Sequence, residues 1–171
     1  MTFFGPKYHI LARKRHFSKT TFYSKENDIA LVETVSPIPF NDGYSSPVCL
    51  PTNNFCLSEG TEVIATGWGT THESGDVATT LQEVKLPMMS LANCDAAHTN
   101  VKVTQTMICA GGVQGQDACQ GDSGGPLVYK DADSVATLLG ATSWGVGCAR
   151  AGLPGAYARV TKYLQCVQKK S

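Results

Sequence analysis

The 171 residues carry 14 basic and 14 acidic side chains and are 42% hydrophobic, so the chain has no formal net charge and enough apolar material to bury a core. Zero net charge gives no drive towards nucleic acid or an anionic membrane as partner, and no apolar stretch approaches the length that spans a bilayer. Seven cysteines point to an oxidising compartment, and their odd number leaves at least one without an intrachain partner.

Taken in chain order, the start Met1-Thr2-Phe3-Phe4-Gly5-Pro6-Lys7 is a poor secretory leader, because its apolar part is short and Pro6 interrupts it. Arg13-Lys14-Arg15-His16 reads as a solvated loop face. Short apolar runs punctuated by Gly and Pro then predict antiparallel strands at 62–68, 81–87, 107–110, 126–130, 138–144 and 155–160, enough to close a barrel. Ser90 is the expected N-cap of a short helix running to Ala97, with Asp95 placed too late to assist that terminus. Residues 162–170 predict a C-terminal helix with Leu164 and Val167 on its buried side and lysines at the favourable end of its dipole. There are no repeats and no low-complexity tract.

The segment with the clearest chemistry is Asp117-Ala118-Cys119-Gln120-Gly121-Asp122-Ser123-Gly124-Gly125-Pro126. A serine hydroxyl attacks a carbonyl only when it is exposed on a rigid backbone and the developing oxyanion meets N–H donors. Gly121, Gly124 and Gly125 allow the tight turn and a close approach by substrate, and Pro126 fixes φ where the chain leaves it. Asp122 needs a compensating partner if it folds inside.

This string resembles the active-site serine segment of the trypsin/chymotrypsin family of serine endopeptidases. The resemblance extends over nearly the whole chain. Asn27-Asp28-Ile29-Ala30-Leu31 resembles the segment carrying the triad aspartate, Pro47-Val48-Cys49-Leu50-Pro51 the inter-barrel crossing, and Thr66-Gly67-Trp68-Gly69 the first strand of the second barrel. Ser143-Trp144-Gly145, Gly147-Cys148 and Pro154-Gly155-Ala156-Tyr157 resemble the walls of the specificity pocket.

The implied fold is all-β, a double Greek-key antiparallel β-barrel pair whose first barrel is incomplete, followed by a short C-terminal helix. Residues 1–47 correspond to the remnant of the N-terminal barrel, 48–60 to the crossing, 61–160 to the C-terminal barrel and 161–171 to the helix. The resemblance also implies two disulfides, Cys94–Cys109 and Cys119–Cys148. Val63 and Tyr129 stand where many relatives carry a further bridge, and the pairing of Cys49, Cys56 and Cys166 is left open, Cys56 with Cys166 being one possibility.

By the same resemblance Ser123 is the nucleophile, the N–H groups of Gly121 and Ser123 form the oxyanion hole, and Asp28 orients a histidine with help from Ser143. Asp117 lies at the bottom of the substrate pocket between Gly145 and Gly155, which implies cleavage after Arg or Lys; Gln120 and Val146 shade the subsites. Asp122 corresponds to the carboxylate that pairs with a freed terminal ammonium on activation. The catalytic histidine segment is absent: His9, His16, His72 and His98 all lack its context, and His9, His72 and His98 read as surface residues. The chain as given is thus expected to be a fragment or an inactive form, the alternative being a pseudoprotease that serves as a binding or regulatory module. Expected partners are protein or peptide substrates with Arg or Lys at the cleavage site, protein protease inhibitors, and an upstream chain tethered through Cys49. An extracellular location is implied, and no metal or organic cofactor.

Overall fold

The computed structural model describes residues 2–5, 8–11, 25–40 and 42–169, the first two segments as backbone only. The basic cluster at 13–16 lies outside the described residues.

Strands β1 (Thr2–Gly5), β2 (Tyr8–Leu11) and β3 (Ala30–Glu33) form an antiparallel sheet in that order. The chain then crosses to a second unit, and the backbone of Cys49 exchanges hydrogen bonds with Ala136 and Leu138 there. That unit is a closed antiparallel barrel of six strands: β4 (Glu62–Gly67), β5 (Gln82–Met89), β6 (Met107–Gly111), β7 (Pro126–Lys130), β8 (Ala136–Trp144) and β9 (Pro154–Arg159). Around the barrel the order is β4-β5-β6-β9-β8-β7. The succession β7-β4-β5-β6 is a Greek key, and β7-β8-β9-β6 is a second one sharing two of its strands. All six lie where the sequence predicts strands, with ends shifted by one or two residues.

Period-2 alternation distributes the side chains of these strands over separate cores. Ile108 and Ala110 of β6 point into the barrel with Val63, Leu86, Leu127, Leu139 and Tyr157. Their neighbours Met107 and Cys109 pack outward with Cys94, Val103 and Ala156. Strand β6 is therefore buried on both faces along its whole length. Val63 and Tyr129 belong to the inner core or pack against it.

The outward cluster rests on helix α1 (Leu91–Ala97), whose first turn is capped by Ser90: its hydroxyl accepts the Asn93 N–H at 3.3 Å. Asp95 turns instead to the Val103 N–H, 2.9 Å away, and to Lys102. The β5–β6 ladder is only two residue pairs wide, Met88 with Ala110 and Met89 with Cys109. Cys109 is also disulfide-bonded to Cys94 of α1.

The C-terminus departs from the expected single helix over 162–170. A 3-10 turn (Val160–Lys162) comes first, Tyr163 leaves helical geometry with φ −119° and ψ 4°, and only then does α2 (Leu164–Gln168) begin. Lys169 stands at the C-cap, the favourable end of the dipole, but five residues offer little aligned dipole for it to meet, so that stabilisation is small. Burial drives the segment instead. Leu164 and Val167 pack with Val160, Leu138 and Ala141, and Ile29, Leu31, Val48 and Leu50 lie against the same cluster. This contact seats the smaller sheet on the barrel's outer wall. Tyr163 adds a hydrogen bond from its hydroxyl to Asn27 Oδ1 at 3.0 Å, pinning the residue before Asp28.

Candidate active site

Ser123 sits on a tight turn between β6 and β7. Gly121 has φ +98°, and a Cβ there would lie 3.1 Å from the Gly69 Cα, so both conformation and space call for glycine. Backbone bonds from Asp122 N–H to Cys119 O (3.1 Å), Gly125 N–H to Asp122 O (2.8 Å) and Gly124 N–H to Thr142 O (2.9 Å) fix the turn to itself and to β8. Ser123 is exposed upon it. Among the described residues the N–H groups of Gly121 and Ser123 have no acceptor.

Asp28 reaches this region from the smaller sheet. Asn27 turns the chain with φ +56°, and the Ile29 N–H closes on Asn27 O at 2.9 Å just before β3. One carboxylate oxygen, Oδ2, accepts the Ser143 hydroxyl at 2.5 Å. The other, Oδ1, is buried and has no donor among the described residues. A buried carboxylate oxygen left unpaired is costly, which makes it a ready acceptor for an N–H brought to the cleft.

Asp117 is partly buried, with Oδ1 accepting the Ala118 N–H at 2.9 Å and Oδ2 the Ala149 N–H at 3.0 Å. Burial raises its carboxyl above the ordinary aspartate value, against the opposing pull of those two N–H groups. The position of Gly155 leaves this carboxylate accessible, since a Cβ there would come within 3.1 Å of Oδ1. The Tyr157 hydroxyl behind it is fully buried, and burial followed by the charges of Asp117 and Asp122 pushes it far above the usual phenol value.

A single cavity of about 300 Å³ is lined by Ser123, Asp28, Ser143, Asp117, Gly145 and Gly155. A neighbouring cavity of about 250 Å³ is lined by Asp122, Gly67, Gly69 and His72, and it shares Asp117, Ala118, Cys119 and Cys148 with the first. Asp122 points away from Ser123, towards Gly67 and Gly69. Its Oδ1 accepts the Gly69 N–H at 2.8 Å and its Oδ2 the Cys119 N–H at 2.9 Å, so backbone donors, not a side-chain cation, meet its charge among the described residues. The Cys119–Cys148 disulfide ties the serine loop to the cavity wall. Cys49, Cys56 and Cys166 are free and exposed, so a Cys56–Cys166 bridge does not form.

One sequence expectation is overturned outright. His98 is not a surface residue but 4% exposed, with Nε2–H donating to Pro154 O at 2.9 Å and its ring edge-on to Trp144 at 4.7 Å. Its neighbours in sequence, Asp95-Ala96-Ala97 and Thr99-Asn100, are polar or small, and the packing that buries it comes from distant segments. His72 is exposed and lines the second cavity. No imidazole lines the Ser123 cavity among the described residues. Sequence reading also passed over Lys25, which lines that cavity from the segment before Asp28, and the pair Glu73 and Arg150, which meet across 77 residues. Neither pairing nor cavity position leaves a mark in local sequence.

The profile of the family described as Trypsin matches residues 6–167. Similar proteins include Transmembrane protease serine 11B of Homo sapiens, 42% identical over 147 residues, which are 85% of this chain and 35% of that protein. Trypsin-1 of Astacus astacus is 40% identical over 84% of this chain and 59% of its own length, and Serine proteinase stubble of Drosophila melanogaster is 40% identical over 90% and 20%. The chain thus spans between a fifth and three fifths of the length of these relatives. With its closed six-stranded barrel and glycine-bracketed serine, it belongs to the trypsin family of serine proteases.

Proposed function

We propose that this chain carries the nucleophile and specificity pocket of a serine endopeptidase that cleaves after Arg or Lys. The observation that supports it best is one cavity lined at once by the exposed Ser123, by Asp28 with an unpaired oxygen, and by the partly buried Asp117. The Ser123 hydroxyl attacks the scissile carbonyl, and its proton passes to an imidazole held by Asp28 Oδ1. The oxyanion accepts the N–H groups of Gly121 and Ser123, and as the tetrahedral species collapses the imidazolium gives that proton to the departing amine, leaving an acyl ester on Ser123. Asp117 receives the substrate guanidinium or ammonium, where a lowered dielectric strengthens the pairing. Protein substrates, protein protease inhibitors and a chain tethered at the exposed Cys49 are the proposed partners, in an oxidising, extracellular setting.

The lining of the Ser123 cavity includes no histidine among the described residues. That observation favours a second reading, a pseudoprotease that binds cationic side chains without cleaving. Loss of the triad's base lowers turnover by about a million-fold. One experiment on the 171-residue chain tests both readings, combining p-aminobenzamidine binding, fluorophosphonate labelling and hydrolysis of an Arg ester, with Ser123→Ala as control. Amidinium binding with negligible turnover is expected of the isolated chain. Absence of amidinium binding would refute both readings, whereas fast hydrolysis lost in Ser123→Ala would show that a base is already in place.

A further inference from the structure

The loop after β4 and the loop between β8 and β9 are joined by a side-chain fork. Glu73 Oε1 accepts Arg150 Nη2–H at 2.8 Å and Oε2 accepts Nε–H at 3.1 Å, a two-pronged carboxylate–guanidinium contact. Oε2 also takes the Cys148 N–H at 3.4 Å. Gly147 runs beside them, with φ +71°; a Cβ there would fall on the guanidinium and 2.7 Å from Glu73 Oε2, so the fork lies directly against this stretch of backbone.

That backbone is the wall of the Asp117 cavity. Gly147 and Cys148 line it, and the next residue, Ala149, donates its N–H to Asp117 Oδ2 and accepts the Gly115 N–H through its carbonyl at 3.0 Å. Glu73 comes from the segment that follows Thr70, Thr71 and His72, which line the neighbouring cavity beside Asp122. The fork therefore joins the rims of two cavities that share Asp117 and Cys148.

We propose that Glu73 and Arg150 are a positioning pair for cation recognition: by clamping residues 147–149 they hold the Ala149 N–H on Asp117 and keep that carboxylate aimed into the cavity. The proposal rests on the reading of Asp117 as the guanidinium receptor. Neither side chain touches the ligand; both act through the wall. The side chains are 40% and 51% exposed, so water and salt weaken the pair and its effect is moderate and tunable.

The test compares the parent chain with Glu73→Gln, Arg150→Ala, the double variant and the charge swap Glu73→Arg/Arg150→Glu. Two quantities are read: affinity for p-aminobenzamidine, and hydrogen exchange in a peptide spanning residues 145–152. Each single variant is expected to weaken the ligand by roughly two- to fivefold and to speed exchange by a similar factor. The double variant should be no worse than either single one, and the swap should recover part of the loss. In about 1 M salt the difference from the parent should shrink, which a purely steric role would not produce. Unchanged affinity and exchange in both single variants would overturn the pair's role. If the parent itself takes up no p-aminobenzamidine, the guanidinium reading fails, and the exchange data alone decide whether the clamp holds the wall.

Discussion

Gly155→Ala tests the cavity directly. The added methyl would lie 3.1 Å from Asp117 Oδ1 and 3.3 Å from the Tyr157 hydroxyl oxygen, a few tenths of an ångström inside ordinary contact. Gly155 pairs with Ala110 in the β6–β9 ladder and does not have a positive φ, so alanine is free of backbone strain there. Two effects then oppose each other in stability. Reduced unfolded-state freedom contributes about 0.5–1 kcal/mol, and overpacking costs about 1–3 kcal/mol. The net loss should stay below about 2.5 kcal/mol, a drop in melting temperature of several degrees at this chain length. Cation binding should suffer more, because the methyl stands between the ligand and Asp117 and pushes the carboxylate off line. Loss of one charge-assisted hydrogen bond is about 1.5–3 kcal/mol, or roughly 10- to 100-fold in affinity. Fluorescence titration with p-aminobenzamidine, beside a thermal melt, measures both. A folded Gly155→Ala chain that binds within twofold of the parent would refute the placement of Asp117 as the cation receptor.

Asp117→Asn should abolish measurable p-aminobenzamidine binding, a loss of a hundredfold or more, since it removes the charge from a partly buried pair. The same group sets a pH dependence. Burial raises its folded value, so the folded chain holds this proton more tightly than the unfolded one, and stability falls as pH climbs from the ordinary aspartate value through the raised one. Amidinium affinity, which needs the ionised form, should rise across that window, and titrations at several pH values would show a flat profile if Asp117 were not the receptor. Asp122→Ala leaves the Gly69 and Cys119 N–H groups without their acceptor and should cost about 2–5 kcal/mol in denaturant unfolding; a loss under about 0.5 kcal/mol would show that water replaces the carboxylate freely. Replacing Cys119 and Cys148 together by alanine opens a loop of 29 residues' separation, with an expected loss of about 3–4 kcal/mol, checked by chemical denaturation under identical buffer conditions.

The barrel was legible in the sequence because each of its strands is a short apolar run bounded by turn residues, and the Ser90 cap because its cue is local. What escaped was set by distance. His98 looks polar and solvated in its own segment, yet it is buried, with Trp144 and Pro154, brought by β8 and β9, against its ring. The C-terminal pattern places Leu164 and Val167 correctly inside, yet the break at Tyr163 follows from seating the smaller sheet and Asn27, which periodicity does not encode. At the site, Ser123 and Asp117 lie within one short string, so their joint placement in a cavity is nearly a local matter. Asp28 meets Ser143 across 115 residues, and Glu73 meets Arg150 across 77; composition says nothing of either meeting.

The narrow β5–β6 ladder gives the barrel a zipper end. Two residue pairs hold that seam, and one of its residues, Cys109, is riveted to the helix that follows β5 directly. Reducing that one sulfur–sulfur link therefore leaves the seam to its two residue pairs alone, as few as join β4 to β7. The redox state of the surroundings thus acts on whether the cylinder stays shut as well as on the entropy of a loop.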